Sequence, residues 1–314
     1  AFLKGINESE ILREKCNLEE FDTGHKFINQ NHPYTSDLDI FGQHSIFQLV
    51  NRTTTESGMI LLSEWLSKPA PNYEIHDRQK AIKELSQKLD WRQDFQASGM
   101  HFQNKKSDYY KLLDWVEAPV LLLKYRRLYI AAAIILSLLS LLGLYFSIVY
   151  LRYIFFLPFI SVLFINYIIL RKVKSNADNI VETSSENLNT LRAYRTLIHK
   201  IEIESFKSKK LNQLQALLIR GKSSASNEIN SLCRLLEFSE QRGVNKLKIP
   251  IKGNYFYSLL NSFLLLDIYL IIGVEKWKSK NKVFLKSWAK VVSEFDVINS
   301  FAGFCYSNPS YTFP

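Results

Sequence analysis

Apolar residues recur at helical spacing along most of this chain, and twice they displace every charge. Leu128–Tyr150 runs for 23 residues without a charged side chain, Leu151 and Arg152 interrupt it, and Tyr153–Leu170 adds 18 more. At the standard rise the first run makes a helix about 34 Å long and the second about 27 Å. Either is long enough for a hydrocarbon core about 30 Å thick. The pattern predicts a transmembrane helical hairpin over residues 128–170. A buried apolar hairpin in a dimer core is the competing reading, but soluble cores rarely need so long an uncharged run. Lys124, Arg126 and Arg127 precede the hairpin, and Arg171, Lys172 and Lys174 follow it. Two spans joined by a short turn leave both flanks on one side, and clustered Lys and Arg make that side cytoplasmic. Tyr125, Tyr129, Tyr150, Tyr153 and Tyr167 fall near the expected interfaces, where amphipathic rings are favoured. Arg152 would sit at the far turn and reach the headgroups. The internal position excludes a secretory signal.

Outside the hairpin the periodicity predicts helices. Residues 1–20 form a short charged helix, and 21–44 are rich in turn formers such as Gly24, Pro33 and Gly42. Thr53 and Glu56 fit a capping box opening a helix through Met59, Leu62 and Trp65-Leu66 that stops before Pro69. Ile75, Arg78, Ala81-Ile82, Leu85 and Leu89 mark a second helix, and residues 99–127 are expected to lead into the hairpin as one helix. Beyond the hairpin, Leu188, Leu191, Tyr194, Ile198, Ile201, Leu211, Leu214 and Leu218 suggest a helix of about 35 residues that Gly221 ends as a C-cap. Ser223–Ser226 open another helix with Ile229, Leu232 and Leu236, and residues 243–253 read as a basic linker or short strand pair. Tyr255–Val274 is apolar but holds Asn261 and Asp267, and a carboxylate in mid-span is costly in lipid, so the stretch reads as a buried core helix. The last helix carries Phe284, Trp288, Phe295, Ile298 and Phe301.

Composition narrows the picture. The chain has 314 residues, enough for two structural units. With 40 Lys+Arg against 30 Asp+Glu it carries a net charge of +10, which suits a phosphate-rich partner or an anionic membrane surface. Cys16, Cys233 and Cys305 are isolated, so neither a zinc ribbon nor a disulfide framework is indicated. Only 11 Gly and 8 Pro favour an all-α fold. Ala1 stands where an initiator Met is expected, and Asn308–Pro314 read as a linker, which suggests a piece of a longer protein.

Several segments then combine. Asp37-Leu38-Asp39-Ile40-Phe41-Gly42 leads to Asn51-Arg52-Thr53-Thr54-Thr55-Glu56-Ser57-Gly58, with Leu62, Trp65-Leu66 and Pro69 at fixed offsets. Ile75, Arg78, Ala81-Ile82 and Glu84-Leu85 follow, and near the end come Glu294-Phe295-Asp296-Val297-Ile298-Asn299 and Asn308-Pro309-Ser310-Tyr311. This set resembles the core domain of MutS-family proteins. The resemblance implies MutS-like core and lever helices; the long inserted apolar hairpin departs from the family and takes the place where its members extend a DNA-gripping clamp. It implies a core first part and outgoing lever over 21–127, a returning lever and second core part over 171–307, and a linker at 308–314 to a C-terminal ATPase domain. It also implies that this chain is no enzyme by itself and holds no cofactor. The full-length protein would use ATP and Mg, dimerise through the ATPase domain, and possess double-stranded DNA and a membrane as candidate partners. Nothing corresponds to the family's N-terminal Phe-x-Glu mismatch reader. Arg52, Thr53, Gly58, Trp65 and Arg78 are expected to be architectural: Arg52 anchoring its loop or pairing with Glu56, Gly58 permitting close packing, Trp65 filling a core, Arg78 bracing two helices.

Catalytic chemistry is sparse. Gly221-Lys222-Ser223 resembles the end of a P-loop, but Ala216 replaces the required glycine and the context is helical. The histidines (His25, His32, His44, His76, His101 and His199) have no ligand spacing, and Asp37 and Asp39 fit turn roles better than a dyad. The one surface with functional promise is basic. Lys246, Lys248, Lys252, Lys276, Lys278, Lys280, Lys282, Lys286 and Lys290 face only Asp267 and Glu275 in acidic balance. Lys276 to Lys282 alternate in what reads as a loop, suited to DNA phosphates or to anionic lipid.

Overall fold

The computed structural model describes residues 2–100, 114–150, 153–221, 223–243 and 254–312. The fold is all-α: strand is confined, among these residues, to a two-residue pair, β1 (Ile219–Arg220) and β2 (Ser223–Ser224), antiparallel with Ile219 opposite Ser224. The chain divides into two units, the first comprising 1–109, 189–229 and 284–314, the second 110–188 and 230–283.

The first unit opens with α1 (Phe2–Glu14), α2 (Ile46–Val50), α3 (Glu56–Ser67), α4 (Asn72–Ser86) and α5 (Leu89–Met100). Ser45 and Gln48 close a capping box on α2, while α3 is capped by Thr55, whose hydroxyl accepts from Gly58 N. The cap is therefore two residues later than the expected Thr53, because Thr53 is occupied by Asn51, whose Oδ1 accepts both its N–H and its hydroxyl. Phe47, Val50, Leu62 and Val297 form a buried cluster, with Phe27, Phe41, Trp65 and Phe301 packed around it. A second aromatic group joins Trp91, Phe95, Phe206 and Phe295, with Trp91 stacked on Phe95 at 5.1 Å.

Two helices exceed the expected lengths. In chain order α6 is Arg126–Tyr150 and α7 is Tyr153–Ile203, so the second apolar run and the start of the returning helix are one element of 51 residues. It ends at Ile203, not at Gly221. Residues 205–207 leave the helix, and the Glu84 carboxylate accepts from Lys207 N at 2.7 Å and Ser208 N at 2.5 Å, capping α8 (Lys209–Ala216). Gly221, at φ 56°, sits in the turn of the β pair. After α9 (Ala225–Gly243) come α10 (Tyr255–Leu264) and α11 (Leu266–Ser307), a helix of 42 residues.

Three further expectations change here. Tyr255–Val274 is no single core helix: Leu265 adopts φ 53°, and α10 and α11 meet at 85°. Lys276 to Lys282 lie in α11 rather than a loop. The expected helix over 99–127 is not one element. Its middle lies outside the described residues, and past a helical stretch at 114–117 the chain leaves helix until Leu123. Pro119 explains the break, since it lacks an N–H and bars its predecessor from helical geometry.

Candidate functional site

In the second unit the hairpin inverts the usual relation of polarity to burial. The buried positions of α6 are Ala133, Ser140 and Ser147, seven residues apart and all small. Leu138, Leu139, Leu142 and Ile148 are exposed instead. Small residues let helix backbones approach: a Cβ on Gly143 would lie 3.2 Å from Phe159 Cβ of α7. Asn166, fully buried, donates to Ser140 Oγ at 3.0 Å and to the Ser262 carbonyl at 2.8 Å. Two helices, Leu123–Tyr150 and Phe156–Glu182, are long and apolar enough to cross a membrane, and their apolar windows are only 17% and 11% buried. A soluble protein rarely leaves so large an apolar surface uncovered. The seven-residue spacing of small residues was readable in the sequence and escaped the periodicity reading, which weighed only large apolar side chains.

The base of the hairpin is held by α11. Glu275, 7% exposed, accepts from the backbone N–H groups of Leu121, Leu122 and Leu123 at 2.8, 2.9 and 2.7 Å. These are donors that a starting helix leaves without partners. One turn on, Lys278 is buried, donates to the Trp115 carbonyl at 2.5 Å and lies 3.8 Å from the centre of the Trp115 ring. Burial pulls its pKa down to about 8, against the Glu275 charge that favours the ammonium.

In the first unit the motif residues meet around Asp296. This carboxylate is fully buried and accepts from Thr54 N at 3.0 Å, Thr55 N at 2.9 Å and the Thr55 hydroxyl at 2.8 Å. Burial pushes its pKa up to about 6 even though these donors favour the charged form. Gly58 packs directly on it: a Cβ there would lie 2.9 Å from Asp296 Cβ and closer still to a carboxylate oxygen. Arg52 does not pair with Glu56. It makes a fork with Glu10 of α1 at 2.8 and 2.7 Å and donates to the Leu49 and Val50 carbonyls. Burial disfavours the Glu10 carboxylate, yet Arg52 and Arg13 together hold its pKa below the usual range. Arg78 lies 3.8 Å from the Trp65 ring centre and pairs with Glu74 at 2.7 Å, and Trp65 stacks on Phe301 at 6.2 Å. Arg78 thus joins α4 to α3.

Six of the nine lysines lie among the described residues, all of them on α11. Lys246, Lys248 and Lys252 lie outside the described residues. Lys276, Lys280 and Lys282 are exposed on α11 in the second unit, whereas Lys278 is consumed by Trp115. Lys286 and Lys290, in the first unit, border an open cleft of about 680 Å³ floored by Leu214 and Val291. Lys210, on the same cleft, pairs with Glu294 at 2.5 Å. No group of three or more His, Cys, Asp or Glu suited to a metal ion occurs among the described residues.

The all-α fold, with the Arg52–Gly58 loop locked on Asp296, is consistent with a MutS-type core and lever unit. The family model for MutS domain III matches residues 28–302, so the chain belongs to the MutS domain III family. No curated protein and no solved structure matches it.

Proposed function

We propose that this chain is the non-catalytic core and lever unit of a membrane-anchored MutS-type protein. In this reading it couples an ATPase domain elsewhere in the full-length protein to DNA or to a protein partner. The observation that carries it is the outward-facing apolar surface of α6 and α7, spliced between the two halves of a MutS core. Hydrocarbon is the solvent that accepts such a surface. Arg126 and Arg127 at the start of α6, with Arg171, Lys172 and Lys174 along α7, support a cytoplasmic core, since basic flanks favour that side. ATP and Mg belong to the ATPase domain, through which the protein would dimerise.

The test is fractionation with alkaline carbonate. The intact chain should stay with the membrane, and replacing residues 128–170 by a short polar linker should release it. An intact chain that is soluble without detergent refutes the anchor. DNA coupling is tested separately, with Lys276→Glu, Lys280→Glu and Lys282→Glu combined and Lys278 left in place. Salt-dependent retention of double-stranded DNA should fall, because neutralised phosphates release counterions. Retention unchanged by the swap removes these lysines as the DNA contact. Loss of binding to anionic liposomes alone would instead favour a membrane scaffold that keeps the MutS frame without handling DNA.

A further inference from the structure

The second unit holds a third apolar element with a distinctive position. α10 is short, and its buried side is polar: Tyr257 and Asn261 face inward, while Tyr255, Phe256 and Leu259 are 61%, 67% and 58% exposed. This helix packs on α6. Its place along the hairpin can be read from two contacts on α7. The Ser262 carbonyl accepts from Asn166, and the Phe263 ring lies 6.1 Å from that of Phe159. Asn166 and Phe159 precede Arg171, the first basic residue of the flank, by five and twelve residues. At the helical rise those positions lie about 8 and about 18 Å along the axis from that charge.

The opposite end of α10 is polar. Asn254 caps the helix, its Oδ1 accepting from Phe256 N and Tyr257 N. The Tyr257 hydroxyl donates to Asp267 at 2.8 Å, Arg242 pairs with Asp267 at 3.2 Å, and Arg242 pairs with Asp178 at 2.7 Å. Asp178 lies seven residues beyond Arg171, away from the apolar run. The element therefore starts beside charged groups and ends against the apolar part of the hairpin. It turns at Leu265, whose left-handed conformation ends α10, and the chain leaves at 85°. Asn261 Oδ1 accepts from Asp267 N, so the backbone at the turn is satisfied within the protein. Irregular backbone at membrane depth requires such internal partners.

We propose that α10 is a re-entrant membrane element: it dips from the basic side into the acyl-chain region beside the hairpin and exposes Phe256 and Leu259 to lipid. The partner of this face is the bilayer itself, because α10 packs on α6, whose own large apolar side chains are exposed. The inference rests on the membrane-anchor reading above. Asp267, whose presence argued against a membrane role, is no obstacle, since its carboxylate is buried and held by Arg242 and Tyr257.

The test uses the full chain in phosphatidylcholine vesicles, with Cys16→Ser, Cys233→Ala and Cys305→Ser and one new cysteine carrying a bimane label. Labels go at Leu259→Cys, Phe256→Cys and, as a hairpin reference, Leu141→Cys. Acyl-chain brominated lipid should reduce the fluorescence at 259 as strongly as at 141, and aqueous iodide should reduce neither. Iodide quenching at both 256 and 259 with lipid quenching at 141 overturns the re-entrant element and leaves the anchor standing. Iodide quenching at all three sites overturns the anchor and this inference with it. Lipid quenching at 259 that survives Asn166→Ala with equal strength shows that packing on α6 alone seats the helix. Quenching that weakens assigns the seating to the Asn166–Ser262 bond; both results uphold the proposal.

Discussion

Replacing Gly58 by Ala tests whether the joint around Asp296 organises the core. The added methyl would sit 2.8 Å from Thr55 Oγ1 and 2.9 Å from Asp296 Cβ. Neither neighbour can yield freely, since Asp296 is fully buried and holds the Thr54 and Thr55 amides. Forcing a methyl into a packed core costs about 1–3 kcal/mol. Displacing the carboxylate strands buried donors at about 1–3 kcal/mol more. Alanine returns up to about 1 kcal/mol of helix propensity. The expected net loss is about 2–4 kcal/mol, read as a lower urea midpoint in detergent by tryptophan fluorescence. The decisive comparison is the same substitution in an Asp296→Ala background. There the obstructing carboxylate is gone, so Gly58→Ala should become neutral or stabilise by up to about 1 kcal/mol. The two substitutions should therefore couple by at least about 2 kcal/mol. Additive effects would show that Gly58 is not pressed against Asp296 and would refute the reasoning. Gly5, with open space around its Cβ position, supplies the control: Gly5→Ala should stabilise slightly.

Other predictions follow from the same contacts. Asp296 titrates near 6 in the folded chain, above its ordinary carboxyl value of 3.8, so its stabilising contribution is complete below pH 3.8 and is lost as pH rises through 6. Measured against Asp296→Asn, the parent should lose roughly 2–3 kcal/mol of relative stability between pH 4 and pH 7; a flat difference contradicts this. Glu275→Ala should strand the amides of Leu121, Leu122 and Leu123 and speed their hydrogen exchange by at least about tenfold, about 1.4 kcal/mol of local opening. Unchanged exchange there would remove Glu275 as the cap of this turn. Glu10→Gln should cost about 2–4 kcal/mol in urea unfolding because Arg52 keeps its buried charge without a counterion. A loss no larger than that of Glu8→Gln, on the exposed Lys4 pair, would mean Arg52 is held by its carbonyl partners alone.

Much of the helical frame was legible in the sequence because amphipathic spacing and apolar length act locally. The apolar hairpin and the helix that stops before Pro69 depend on residues close in sequence. Partners far along the chain were not legible. Arg52 pairs with Glu10 rather than with nearby Glu56, a separation of 42 residues. Asp296 reaches Thr54 across 242 positions. No spacing rule reports such a contact. Helix boundaries failed for a related reason: Glu84 and Glu275 cap helices from other elements, so no local capping signature marks those starts.

The lysine set shows why a charge count is a poor guide to a surface. Nine lysines against two acids suggested one basic face, yet the acid Glu275 and the base Lys278 both turn inward on the base of the hairpin. A net charge records neither burial nor partner, and a lysine with its ammonium on a carbonyl and an indole ring is unavailable to phosphate. A lone carboxylate argued that residues 255–274 avoid lipid, but the cost of a charge depends on where its partners stand. Asp267 has the Arg242 guanidinium and the Tyr257 hydroxyl beside it, so its presence in the stretch does not by itself decide whether α10 meets lipid. The partners of a charge therefore carry information that charge content alone does not.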